Sequence, residues 1–171
     1  MKIDLVDLID ESFAEYKLPH MLVAFPHCSF KCDRENGNQV CQNWELAKAP
    51  RITVEAEDVA ARYVSNDLTK AVVFAGLEPF DSYTDVLSLL EELRSKNGCY
   101  DDVVIYTGYK PEEVSDRFEK LASYKNVLVK FGRFVPGDKP HYDDALGINL
   151  ASDNQFSRWV NENYALMWSK L

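Results

Sequence analysis

Residues 21–32 read Met-Leu-Val-Ala-Phe-Pro-His-Cys-Ser-Phe-Lys-Cys. The apolar run Met21 to Phe25 stops at Pro26, which offers no backbone N–H and punctuates the chain. A short run of this kind suits a strand buried on both faces. A polar loop then runs from His27 to about Trp44 and carries Cys28, Cys32 and Cys41. This strand-then-loop unit recurs along the chain and decides the fold class.

Ala71 to Ala75 is a second such strand, ending at Gly76; Val103 to Tyr106 is a third, closed by Thr107-Gly108; Val127 to Phe131 is a fourth. Helical spacing fills the intervals. Thr53–Asn66 places Val54, Val59, Ala60 and Tyr63 toward a core. Ser82–Lys96 places Val86, Leu89, Leu90 and Leu93 there and ends at Asn97-Gly98. Lys110–Ser123 carries Pro111 in its first turn, where proline is tolerated. Leu5, Leu8, Ile9 and Phe13 predict a helix over Leu5–Tyr16. Phe156, Trp159, Val160 and Leu166 predict a last one over Gln155–Trp168.

The expected class is α/β, a mainly parallel sheet with helices packed outside it. One domain is expected over residues 1–171, with a helical extension at 1–20 and the core at 21–160. Parallel sheets bind ligands beyond the carboxyl ends of their strands. The loops at those ends are Pro26–Trp44, Gly76–Phe80, Thr107–Tyr109 and Gly132–Asp138, so four segments are expected to converge.

Composition narrows the partners. At 46% hydrophobic and 27% charged, the chain has ordinary globular values. Its 19 Lys and Arg against 28 Asp and Glu give −9 at pH 7, with no basic cluster to attract a phosphate backbone, which argues against nucleic acid. Acidic residues break up Met1–Asp10, and the apolar stretch at Met21–Pro26 is far too short to span a bilayer. A cytoplasmic location without membrane attachment is expected. Four cysteines in such a chain read as thiols or metal ligands rather than as a disulfide framework.

Cys28 and Cys32 are separated by three residues, and Cys41 follows after eight more. Three thiolates within 14 residues can wrap one soft metal centre. An iron–sulfur cluster, a structural zinc completed by His27 or His20, and plain redox thiols all fit that spacing. On a cluster, three cysteines leave one iron open to a substrate or cofactor. Cys99, far along the chain, reads as an isolated thiol.

Several segments, in order, resemble the radical S-adenosylmethionine superfamily, and within it the activating protein of anaerobic ribonucleotide reductase. That family has a strand leading into Cys-x3-Cys-x2-Cys. Here Leu22 to Phe25 leads into Cys28 and Cys32, and Cys41-Gln42-Asn43 is similar to the end of that motif. Gly76-Leu77-Glu78-Pro79-Phe80 resembles the family's Gly-Gly-Glu/Asp-Pro-Leu stretch. Tyr106-Thr107-Gly108-Tyr109 resembles its Tyr-Thr-Gly-Tyr strand end. Asn126 to Pro136 and Ser152-Asp153-Asn154-Gln155 resemble its later strand and its Ser-x-Asn-Gln element. The likeness spans about residues 20–160. Departures are an insertion of about six residues before Cys41, Glu15 to Pro19 in place of Asp-Gly-Pro-Gly, Leu77 for one glycine, and Lys130-Phe131 for the usual Asp-Gly.

The resemblance implies a partial (β/α) barrel and an oxidoreductase. Cys28, Cys32 and Cys41 would hold a [4Fe–4S] cluster whose fourth iron takes the amino and carboxylate groups of S-adenosyl-L-methionine. Reductive cleavage would then give a 5′-deoxyadenosyl radical. It further implies cofactor-binding roles for Asn43, Gly76, Leu77, Glu78, Thr107, Gly108 and Lys130, and no assigned catalytic residue. Glu78 reads equally as a turn carboxylate, Lys130 as a snorkelling ammonium, Asn43 as a loop-shaping residue, and Ser152, Asn154 and Gln155 as a helix cap. The implied partners are a glycyl radical enzyme, such as an anaerobic ribonucleotide reductase, and an electron donor such as flavodoxin or ferredoxin. A radical enzyme acting on another peptide or small molecule, and a non-catalytic zinc or iron–sulfur module, are the alternatives.

Overall fold

The computed structural model describes residues 1–160. The chain opens with three strands, β1 (Lys2–Leu5), β2 (Asp7–Ser12) and β3 (His20–Phe25). Strands thus replace the helix expected over Leu5–Tyr16, and with it the helical extension of residues 1–20. The burial is alternate: Ile3 and Leu5 are buried, whereas Phe13, counted toward the helical face, is 65% exposed. Period two, not 3.6, is the one the fold uses here.

The cysteine loop is partly ordered into α1 (Lys31–Asn36) and α2 (Trp44–Ala47). Next comes β4 (Ile52–Glu55), which pairs antiparallel with β1 and so delays the following helix, α3 (Ala56–Val64), past its expected start at Thr53. After β5 (Ala71–Gly76), α4 (Tyr83–Glu91) runs on as a π-helical turn over Glu92–Lys96, and Gly98 follows at φ 62°. Then come β6 (Asp102–Tyr106), a 3₁₀ turn at Pro111–Glu113, α5 (Ser115–Leu121) and β7 (Val127–Phe131). Three short strands end the described chain: β8 (His141–Asp143), β9 (Ile148–Leu150) and β10 (Phe156–Trp159).

The main sheet has the order β10-β7-β6-β5-β3-β2. Its four central strands run parallel, and antiparallel β2 and β10 flank them. The expected mixed α/β architecture with a mainly parallel sheet is present. The sheet is open, and the described strands close no barrel.

Where a last helix was expected over Gln155–Trp168, Phe156–Trp159 is a strand; residues 161–168, Leu166 among them, lie outside the described residues. Aromatic residues at Phe156 and Trp159 suit a strand, and alternation sends them to opposite faces. Phe156 packs on Phe131 of β7, ring centroids 5.3 Å apart.

Those faces are covered differently. On one, Val59, Ala60 and Tyr63 of α3, Val86, Leu89 and Leu90 of α4, and Phe118 and Leu121 of α5 bury the alternate strand residues, such as Val23, Phe74, Ile105 and Val129. On the other, Val73, Val104 and Leu128 lie under Tyr16, Leu146 and Leu150. No helix takes part there among the described residues; residues 13–18 and the β8–β9 hairpin close it, tied by Lys17 N–H to the Leu146 carbonyl at 2.8 Å.

Candidate metal centre and cofactor rim

Parallel register brings the carboxyl ends of β3, β5, β6 and β7 to one edge. Their loops are bonded to one another there. Ser29 N–H donates to Asp81 Oδ2 at 3.0 Å, and Tyr109 Oη donates to Asp81 Oδ1. Asn43 Nδ2 donates to the Gly76 carbonyl at 3.1 Å, joining the cysteine loop to the end of β5. Gly108 N–H donates to Glu78 Oε2 at 2.9 Å, and Gly132 N–H to the Tyr109 carbonyl at 3.2 Å. The four loops meet as expected.

All three loop cysteines are free thiols, neither fully buried nor exposed. Each sulfur accepts a backbone N–H: Phe30 to Cys28 at 3.2 Å, Asn43 to Cys41 at 3.4 Å, and Phe134 to Cys32. Cys41 lies within electrostatic reach of both other thiols. Burial pushes the Cys28 thiol up to about 12, with Glu78, Asp81 and Cys41 adding to it, and pushes Cys32 and Cys41 up as well. Metal-free, these groups stay protonated at neutral pH, so binding a metal releases their protons.

The stretch between Cys32 and Cys41 is closed by a residue that sequence reading passed over. Asp33 Oδ1 accepts the N–H groups of Val40 at 2.8 Å and Cys41 at 2.7 Å, and its Oδ2 accepts Trp44 Nε1 at 2.6 Å. Trp44 stacks on Phe30, centroids 4.4 Å apart and planes 8° from parallel. Phe30 itself has φ 52°, an unusual conformation for a side-chain-bearing residue, which turns the chain from Cys28 into α1. The residue next to Cys32 thereby draws Cys41 back across the inserted stretch. Loss of such a supporting bond typically weakens metal binding 10- to 100-fold. Asp33→Ala is therefore expected to weaken cluster retention by about that factor, measured as iron and sulfide held during chelator challenge; unchanged retention would deny Asp33 this role.

The other candidates fall out as follows. Gly76 has φ 93°, and a Cβ there would meet Phe25 N at 2.7 Å. Leu77 N–H is taken by the Phe25 carbonyl at 3.1 Å. Glu78 is buried, so it is no solvated turn carboxylate; it accepts Phe80 N–H at 3.0 Å as well as Gly108 N–H and the Thr107 hydroxyl. Burial nonetheless raises it to about 7, against the pull of those donors. Ser152, Asn154 and Gln155 cap no helix. Asn154 Nδ2 and Gln155 Nε2 donate to the carbonyls of Arg133 at 2.9 Å and Gly132 at 3.2 Å, while Ser152 Oγ accepts Val135 N–H at 3.2 Å. His20 stands at the opposite end of β3 from the cysteines, with its nitrogens engaged by Leu18 O and Glu15 Oε2, and His27 is exposed.

Lys130 does not snorkel. It is 8% exposed, and Nζ donates to the Gly132 carbonyl at 3.1 Å. Burial lowers it to about 8 from 10.5, although Glu78 and Cys32 pull it up. Below pH 8 the lysine is charged in both states and the cost of burying the ammonium is fully present. Between about 8 and 10.5 the folded protein has shed a proton that the unfolded chain keeps, and stability rises. Lys130→Met is therefore expected to stabilise the cluster-free protein at neutral pH by about 2 kcal/mol, after allowing for the lost hydrogen bond. That gain should fade above pH 8 in thermal unfolding; a gain independent of pH would refute the charge account.

The family model for the 4Fe-4S single cluster domain matches residues 20–155, most of the chain and the whole of this rim. The chain belongs to the 4Fe-4S single cluster domain family. Comparison with curated proteins and with solved structures finds no match. Membership supports an iron–sulfur protein with a [4Fe–4S] cluster as its metal cofactor. The donor set fits a cluster: three free thiols on one braced loop, each with an N–H directed at its sulfur, an interaction that tunes iron–sulfur centres. Among the described residues, no three His, Cys, Asp or Glu side chains are grouped around a single-ion site. No helix among the described residues is long and apolar enough to cross a membrane.

Proposed function

We propose that this iron–sulfur protein is a radical S-adenosylmethionine enzyme of the glycyl-radical activase type, its open sheet serving as the partial (β/α) barrel. The observation that carries the reading is the joining of the cysteine loop to the ends of the next strands. Asn43 bonds Gly76, and Glu78 bonds Gly108, in the chain order that resembles that superfamily. When bound, the reduced cluster supplies one electron that breaks the sulfonium C–S bond of S-adenosyl-L-methionine, giving methionine and a 5′-deoxyadenosyl radical.

The chain supplies binding and orientation. Cys28, Cys32 and Cys41 would hold the cluster. Gly76 lets backbone approach the cofactor, and the carbonyl groups around Leu77 receive its amino group, since the Glu78 carboxylate is engaged in bracing Gly108. Lys130 would offer its ammonium to the cofactor carboxylate, and Thr107 and Gly108, which end β6, would brace the ribose side through their bonds to Glu78. Asn43 keeps the loop against β5. The reading carries with it a cytoplasmic location, a glycyl radical enzyme such as an anaerobic ribonucleotide reductase as acceptor, and a flavodoxin or ferredoxin as donor.

The test is anaerobic reconstitution with iron and sulfide, reduction in the presence of S-adenosylmethionine, and assay for 5′-deoxyadenosine. Equal amounts of 5′-deoxyadenosine and methionine are expected. A fully loaded cluster that yields neither would make the protein an iron–sulfur module without this activity. Product without a glycyl radical on an added anaerobic reductase would move the acceptor to another peptide or small molecule.

A further inference from the structure

Arg133, in the turn after β7, is only 4% exposed, yet its hydrogen bonding is incomplete. Nη2 donates to Glu113 Oε1 at 2.6 Å, and Nε stands 3.3 Å from Glu35 Oε1 as an ion pair. Neither Nε nor Nη1 makes a hydrogen bond among the described residues. Buried donors without acceptors are costly, so these unmet N–H groups, Nη1 above all, point to an acceptor still to be supplied.

The turn leaves Arg133 little freedom. Lys130 Nζ and Gln155 Nε2 hold the Gly132 carbonyl, and Asn154 Nδ2 holds that of Arg133. The next residue, Phe134, gives its N–H to Cys32 sulfur, and Glu35, the ion-pair partner, lies on α1 together with Cys32. The guanidinium is thereby anchored beside the cluster loop, within electrostatic reach of Cys32.

We propose that Arg133 is the positioning cation of the cluster site, held beside Cys32 with N–H groups still unmet, where it offsets the negative charge that reduction adds. Three thiolates on the cluster core make a net anion, and a further electron deepens it. A fixed positive charge in a poorly solvated site favours the reduced form, and arginine keeps that charge at every working pH. The inference rests on the [4Fe–4S] reading and would hold whatever substrate the cluster serves.

The experiment is an anaerobic potentiometric titration, followed by electron paramagnetic resonance of the reduced cluster, on reconstituted wild type, Arg133→Gln, Arg133→Lys and Glu35→Gln. Arg133→Gln should shift the midpoint to more negative potential, and Arg133→Lys should stay near wild type. Glu35→Gln should shift it in the positive direction, by less, because it removes a half-exposed carboxylate and leaves the cation. A role limited to clamping α1 predicts that Arg133→Gln and Glu35→Gln act alike, since both break the same ion pair. That result, or an unmoved midpoint in Arg133→Gln, overturns the proposal. Should Arg133→Gln fail to load, Arg133→His decides: a midpoint that falls as pH rises through the imidazole range, against wild type under the same conditions, supports the proposal, and one that follows wild type overturns it. A wild type that takes up no cluster overturns the cluster reading and this inference together, whereas a loaded cluster indifferent to Arg133 overturns the inference alone.

Discussion

Replacing Cys28, Cys32 and Cys41 together by alanine is expected to abolish cluster binding, while Cys99→Ala leaves it intact. The three loop thiols follow the carboxyl end of β3 and are bonded into the rim through Phe30, Phe134 and Asn43. Cys99 precedes β6, at the amino end of a strand parallel to β3, and so lies across the full depth of the sheet from them. Among the described residues, its backbone is bonded at that end to Leu93 and Arg94. The three loop cysteines contribute little to the core, so the triple variant should keep wild-type far-ultraviolet circular dichroism while holding no iron or sulfide. Iron and sulfide per chain after anaerobic reconstitution decide it. Wild-type loading of the triple variant would remove the assigned ligands, and loss of the cluster in Cys99→Ala would add a fourth.

Gly76→Ala is expected to be strongly destabilising. Residue 76 opposes Phe25 in the parallel pairing of β3 with β5 and sits at φ 93°, where a side chain strains the backbone. A Cβ would also stand 2.7 Å from Phe25 N and 2.8 Å from Ala24 Cα. These are backbone atoms in the sheet interior and cannot rotate aside. Backbone strain and overpacking of this kind each cost about 1–3 kcal/mol. A loss of about 3 kcal/mol follows, near 10 °C in melting temperature for a chain of this size. The displaced Gly76 carbonyl would also release Asn43, so cluster loading should fall with stability. A variant that melts within a degree or two of wild type would show that the two strands can part there without cost.

The parallel strands were legible because each is a short apolar run with an abrupt stop, and α4 because Val86, Leu89, Leu90 and Leu93 repeat at helical spacing and are all buried. Four convergent loops followed from strand direction alone. Period was misread over Leu5–Tyr16, where β2 has no fully buried residue and its pairing with β3 shifts register between Ile9 and Ser12, so no clean alternation marks the strand. The same holds for β10, whose aromatic residues serve two faces rather than one. In the rim, the cysteines were singled out by type and spacing, and Asn43 and Gly76 through the family resemblance. Asp33 and Arg133 were not, because a carboxylate that gathers backbone N–H groups and an arginine held by a turn leave no period to read. Glu78 was singled out through the resemblance and Lys130 as a charge on an apolar strand, but whether a charge is exposed or interior depends on neighbours in other segments, here Gly108 and Gly132.

The helix-free face of the sheet bears on the order in which a ribosome delivers this chain. Its covering residues come from both extremes of the described sequence: Tyr16 emerges early, Leu146 and Leu150 late. The helical side needs nothing beyond α5 to cover most of its strands, but Val73, Val104 and Leu128 stay wet until the hairpin at residues 141–150 arrives. A nascent or clipped chain that stops short of that hairpin therefore carries an apolar sheet surface open to chaperones, and to other copies in the same condition.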